Sequence, residues 1–196
     1  MFYFAAKHFM RFWLRLLYRV RVEGVENVPD GGAFIICSNH IHSMDPAMFA
    51  ICLRRRIYFM AKKELFKYGF FGFFLDKLGA FPVDRGVSDM KAYKKAIGYL
   101  EDGGGLLVFS QGTRTAGFEN AKNGAALFAL KTGAALIPAG IACAGKNGGA
   151  YRFFKKVTIK IGEPIDMQAY EGKKINTRLV EELMGETLTA VKGYCG

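Results

Sequence analysis

Ala33-Phe34-Ile35-Ile36-Cys37-Ser38-Asn39-His40-Ile41-His42-Ser43-Met44-Asp45-Pro46 is the stretch in which the chain declares its architecture. Its first five residues are an unbroken apolar run entered from the turn signal Pro29-Asp30-Gly31-Gly32. A run of that length bounded by a turn reads as a strand buried on both faces. Asp45-Pro46 reads as a helix start, with an acidic N-cap followed by proline in the first helical position. Between them lies a polar loop with two histidines, and in α/β sheets chemistry collects on loops at strand ends.

Working outward, the same alternation recurs. Further strands are expected at Ile57–Met60, Gly79–Val83, Leu106–Phe109, Ala135–Ile141 and Lys156–Ile161, and helices at Ala47–Arg55, Val87–Glu101, Asn123–Lys131 and Asn176–Lys192. Strands alternating with helices predict an α/β fold: one domain with a largely parallel or mixed sheet flanked by helices. The chain of 196 residues suits one such domain, and a composition 51% hydrophobic and 23% charged excludes disorder. The expected division is an amino-terminal helix over residues 1–22 and the α/β domain over 23–196. The longest stretches without charge, Gly31–Met44 and Thr132–Gly145, fall short of the about 20 apolar residues that cross a bilayer.

The first segment is aromatic and aliphatic, interrupted by Lys7, Arg11, Arg15 and Arg19 at steps of four. Each step turns the next cation by roughly 40° on a helix, so the four charges cover about one third of its circumference and the rest is apolar. Such a helix either packs on the domain or lies in a lipid headgroup plane, with Trp13 and the cations at the interface. It lacks the charge order and cleavage site of a signal peptide and is expected to stay in the mature protein. The segment Phe66–Phe81, with Phe70, Phe71, Phe73 and Phe74, is unusually aromatic and reads equally as core or as a second lipid contact. Lys plus Arg (28) against Asp plus Glu (17) leaves +11, which points to an anionic partner. A nucleic acid would explain the charge but not the greasy first helix. Cys37, Cys52, Cys143 and Cys195 lie far apart, which predicts reduced thiols, no zinc site and a cytosol-facing location.

Asp45 follows His40 by five residues. On one continuous helix the two would point about 140° apart, but a loop folding back on a helix start can join them. Such a pair can work as a general base with its orienting acid. The spacing alone is a weak signal. His42 is expected to be an ordinary loop histidine and His8 an interfacial one, with no metal cluster.

Four further blocks follow in order: Ala61-Lys62-Lys63-Glu64-Leu65-Phe66, Gly79-Ala80-Phe81-Pro82-Val83-Asp84-Arg85, Phe109-Ser110-Gln111-Gly112-Thr113-Arg114 and Leu136-Ile137-Pro138-Ala139-Gly140-Ile141. Together with the His-x4-Asp motif they resemble the 1-acylglycerol-3-phosphate acyltransferase family, over about half the chain. The resemblance implies a glycerolipid-acyltransferase-like fold and a membrane-associated enzyme. It makes His40 the general base and Asp45 its partner, and it assigns Lys62, Arg85, Gly112, Thr113 and Arg114 to the substrate phosphate. The implied reaction moves an acyl group from acyl-CoA or acyl-carrier protein to the sn-2 hydroxyl of lysophosphatidic acid, giving phosphatidic acid without a further cofactor. The implied partners are a phospholipid surface, a lysophospholipid, an acyl thioester and, as one carrier, acyl-carrier protein. The implied location is peripheral or monotopic, on the cytoplasmic face of the cell membrane. The chain itself agrees on direct transfer, since it offers no Gly-x-Ser-x-Gly elbow. It departs from the family in carrying Ser110-Gln111 where Pro-Glu is usual. Gln111 keeps an acceptor and adds donors but loses a charge. Another lysolipid acceptor therefore stays open beside lysophosphatidic acid, as does a catalytically silent lipid-binding protein of the same fold.

Overall fold

The computed structural model describes residues 2–84, 89–111, 118, 121–144 and 153–195, with Phe2 and Phe71 described by backbone alone. Its centre is β2 (Phe34–Ser38), every residue of which is buried. Phe34 and Ile36 enter one apolar cluster and Ile35 and Cys37 the other. That is what an unalternating apolar strand requires, because it must bury both faces.

The other strands are β1 (Arg19–Glu23), β3 (Ile57–Lys62), β4 (Ala80–Val83), β5 (Gly105–Phe109), β6 (Ala135–Cys143) and β7 (Lys156–Ile161), in the spatial order β1-β7-β6-β2-β5-β3-β4. β4, β3, β5, β2 and β6 run parallel, whereas β7 is antiparallel to β6 and β1 is parallel to β7. The sheet is therefore mixed, with two reversed strands at one side. Helices α1 (Phe2–Leu17) and α2 (Asp45–Cys52) supply the cluster on one face. Helices α4 (Met90–Glu101), α5 (Gly124–Thr132) and α6 (Thr177–Tyr194) supply the other. A short helix, α3 (Gly69–Lys77), leads from the end of β3 back to β4. It stops at Gly79, whose φ of 92° and approach to the Ile57 carbonyl leave no room for a Cβ. The α/β layers expected from the sequence are thus present.

Several boundaries differ. Asp45 is already helical, with Met44 in the N-cap position expected for it, and α2 ends at Cys52, short of the expected Arg55. The first helix ends at Leu17, not at Val22, and Arg19–Glu23 forms an edge strand instead. Arg-Val-Arg-Val-Glu alternates at period two, and Val20 and Val22 pack on the core while β1 pairs with β7. Residues 19–22 accordingly belong to the sheet rather than to an amino-terminal helix. α4 starts at Met90 because the Asp89 carboxylate caps it by accepting from the Lys91 and Ala92 amides at 3.0 Å; Val87 lies outside the described residues. The aromatic segment after Phe66 contains helix α3, which its sequence did not announce.

Candidate active site

The site is built where β2 leaves the sheet. Ser38 is its last paired residue, opposite Ala139 on β6, while β6 runs on to Cys143. Asn39 fills the missing rung with its side chain. Its Nδ2 donates to the Ile141 carbonyl and its Oδ1 accepts from the Ile141 amide, both at 2.8 Å. A side-chain amide standing in for a peptide lets the main chain turn away with no buried polar group unpaired. His40 comes next, at the carboxyl end of the parallel strands.

Asp45 is the first residue of α2 and is fully buried. One oxygen, Oδ2, accepts from the His40 ring Nδ1 at 2.7 Å, from the Ile41 amide at 2.7 Å and from the His42 amide at 2.9 Å. The helix amino terminus adds its own positive field to this carboxylate. The loop therefore folds back onto the helix start. A carboxylate can only accept, so His40 carries its proton on Nδ1 and turns the Nε2 lone pair outward. The imidazole stacks on Phe109 with centroids 4.1 Å apart and planes 17° from parallel. Its side chain is 10% exposed, so the ring is walled in but still reachable.

The third support is Gln111, two residues past the end of β5, whose Oε1 accepts the His40 main-chain amide at 2.8 Å. Ser110 is held alongside, its amide donating to the Ser38 carbonyl at 3.0 Å. Lys62 closes β3 on the same sheet edge, paired in register with Val83. Its ammonium is exposed and 3.8 Å from Glu64, whereas Lys63 is bound to Asp84. With strands about 4.8 Å apart, Lys62 springs from a strand end roughly 10 Å from β2. Arg85, Gly112, Thr113 and Arg114 lie outside the described residues. Asn39 and Phe109 went unnoticed as site residues in the sequence; the one signal was a polar Asn directly after a buried strand.

The residues expected at a lipid surface divide. Trp13, Arg15, Phe70 and Phe73 are exposed, Phe70 by 85%, while Arg11 and Phe74 are half-buried. The Phe71 side chain is outside the described set. Arg19 is exposed, but on β1 rather than on the helix. Lys7 corrects the expectation outright. It is only 5% exposed, and its ammonium donates to the carbonyls of Leu53 and Arg54 at the end of α2. Those carbonyls have no helical partner, and the buried cation satisfies them. Desolvation, with Arg11 adding repulsion, holds the Lys7 pKa below its ordinary value. Among the described residues no helix is long and apolar enough to cross a membrane, and no cluster of side chains could hold a metal ion.

A histidine oriented by a buried carboxylate, at the strand ends of an α/β sheet, is equipped to deprotonate a hydroxyl for group transfer. The chain belongs to the acyltransferase family, whose profile, described as Acyltransferase, matches residues 19–142. It is 37% identical over 148 residues to a 1-acyl-sn-glycerol-3-phosphate acyltransferase of Bacillus subtilis, covering 74% of this chain and 73% of that protein. A protein of the same name from Borreliella burgdorferi is 33% identical over 124 residues, 61% of this chain and 50% of that one. Among solved structures, the 1-acyl-sn-glycerophosphate acyltransferase PlsC of Thermotoga maritima superposes with a TM-score of 0.67 at 27% identity, covering 94% of this chain and 73% of its own. The protein is an acyltransferase, as the ordered blocks implied.

Proposed function

We propose that the protein acylates the sn-2 hydroxyl of lysophosphatidic acid from acyl-CoA or acyl-carrier protein, giving phosphatidic acid at the cytoplasmic surface of a membrane. The observation that carries this reading is the 2.7 Å contact between His40 Nδ1 and Asp45 Oδ2, with Nε2 turned away from it. Nε2 takes the hydroxyl proton as the oxygen attacks the thioester carbonyl carbon. A C–O bond forms, the C–S bond breaks, and the proton passes from the imidazolium to the departing thiolate. Asp45 fixes the tautomer and stabilises the transient positive ring, while Phe109 fixes its plane. Holding both reactants beside this base supplies the remainder of the acceleration.

The acceptor assignment is supported by the relatives' names and by the cationic strand ends. Lys62 stands at one of them, and Arg85, Gly112, Thr113 and Arg114 follow two others in the sequence. Membrane attachment is supported by the exposed aromatics of α1 and α3 and by the net charge. Gln111 favours a second reading of the acceptor, because a neutral amide beside the base removes a charge that would otherwise select the headgroup. The test is purified protein with acyl-CoA or acyl-carrier protein against a panel of lysolipids, with products read by mass. His40→Ala should abolish transfer and leave vesicle binding unchanged; retained turnover would show that another group is the base.

A further inference from the structure

The turn before β7 displays two adjacent phenylalanines to water, Phe153 at 63% and Phe154 at 68% exposure. They are not accidental protrusions of a loose loop. Phe154 has φ 63°, a left-handed backbone that bulky residues rarely adopt. Its amide donates to the Leu17 carbonyl at 2.7 Å, closing the end of α1. The Phe153 ring stacks on Tyr18 with centroids 5.9 Å apart. The Arg19 amide in turn donates to the Lys155 carbonyl at 3.1 Å, and Arg19 lies opposite Lys156 in register. The surrounding structure thus holds the turn in an unfavourable conformation that leaves both rings outside, and such outliers point to function.

Charge and topology identify what the rings meet. Arg15, Arg19, Lys155 and Lys156 are all exposed around them, and neither 15–22 nor 153–161 contains an acidic residue. Since β7 is antiparallel to β6, with Val157 opposite Cys143, the starts of β7 and β1 lie on the sheet edge where β2 ends at His40. The exposed Phe12, Trp13 and Leu16 near the end of α1 approach this edge from the same side. At its far end, β3 leads into Tyr68, Phe70 and Phe73, also exposed. β2 is the fourth strand of seven, so His40 sits midway, roughly 14 Å from either outer strand at about 4.8 Å spacing. Exposed aromatic rings at both ends of one edge, with unopposed cations around those at the β7 end, match the chemistry of an anionic bilayer interface.

We infer that the Phe153–Phe154 turn is a lipid-inserting foot that, opposite the α3 aromatics, seats the His40 edge of the sheet on an anionic phospholipid bilayer. This rests on the proposed membrane-surface reaction and adds a contact remote from α1 in sequence. The test uses Phe154→Asn, which removes the ring while suiting the left-handed backbone, and the double variant Phe153→Ser/Phe154→Asn. Vesicles of phosphatidylcholine with and without phosphatidylglycerol are the probe, read by sedimentation.

Losing one inserted ring should weaken partitioning into the anionic vesicles about tenfold to hundredfold, with thermal unfolding unchanged for Phe154→Asn. Reversing charge with Lys155→Glu/Lys156→Glu should weaken the anionic vesicles only. Wild-type partitioning by the phenylalanine variants overturns the foot. So does loss of a dimer in sedimentation with vesicle binding intact, which would make the turn a contact between copies. Transfer to a monomeric short-chain lysolipid separates the two readings. Wild-type protein that binds vesicles yet acylates no acceptor sinks the reaction and leaves the foot standing.

Discussion

Replacing Asp45 by Asn isolates what the carboxylate charge does. Three hydrogen bonds, from the His40 ring and the Ile41 and His42 amides, converge on one oxygen, Oδ2. An asparagine that keeps its carbonyl oxygen there accepts from the same three donors. The flipped amide would set an NH2 against two main-chain N–H groups and is excluded. The three bonds to Oδ2, and with them the loop and the Nδ1–H tautomer of His40, therefore survive loss of the charge. When His40 takes the acceptor proton, its ring becomes a cation with its charge centre about 4 Å from the carboxylate's. At an effective dielectric constant of about 20 that attraction is about 4 kcal/mol, or about a thousandfold in rate. Asp45→Asn should thus lower kcat by about three orders of magnitude, with KM and the urea midpoint close to wild type. Thiol release from acyl-CoA, made dependent on added lysolipid, reads the first; circular dichroism reads the last. Asp45→Ala should also destabilise, because two main-chain N–H groups lose their partner at about 1–3 kcal/mol each. A kcat for Asp45→Asn within tenfold of wild type would mean that no imidazolium forms, and the base assignment would fall.

Asn39→Ala leaves both polar groups of Ile141 unmatched, so its urea midpoint should drop by the equivalent of about 2–5 kcal/mol, with kcat falling as His40 loosens. Asn39→Asp should lose stability too, since its second oxygen faces the Ile141 carbonyl; an unchanged midpoint would contradict the rung. Gln111→Glu still accepts the His40 amide and restores the charge usual in the family, so it should lower KM for lysophosphatidic acid roughly tenfold relative to that for a zwitterionic lysolipid; equal shifts would show that Gln111 does not sense the headgroup. Burial pushes the Cys37 thiol up to about 12 from an ordinary 9.0. Above pH 9 the unfolded chain sheds this proton while the folded one keeps it, so stability should fall by about 1.4 kcal/mol per pH unit. Thermal unfolding of Cys37→Ala between pH 8 and 11 should show a shallower fall than wild type, and parallel curves would refute the burial effect.

The strands β2 to β6 were legible from their apolar runs, and β7 from the period-two alternation of Lys156–Ile161. β1 was missed altogether, because the four-residue cation spacing carries through Arg19 and masks the period-two pattern beneath it. His40 and Asp45 lie close enough in sequence for spacing to suggest that they meet, though not to show it. The supports of His40 were invisible for a physical reason. Asn39 finds its partner 102 residues away and Gln111 its own 71 residues away, pairings that exist only once β6 and β5 flank β2. Lys7 followed the same rule, since its carbonyl partners lie 46 and 47 residues on. A cation in a regular stripe gives no sign that it will be drawn inward.

The grip of Lys7 on the end of α2 has a practical side. α2 is eight residues long, about 12 Å, with Asp45, the proposed partner of the base, at one end and the α1 ammonium bound beyond the other. The first helix is therefore a strut for the machinery as well as a greasy surface. Trimming it to obtain a better-behaved, detergent-free preparation would remove that strut, and turnover would suffer even on acceptors dissolved freely in buffer.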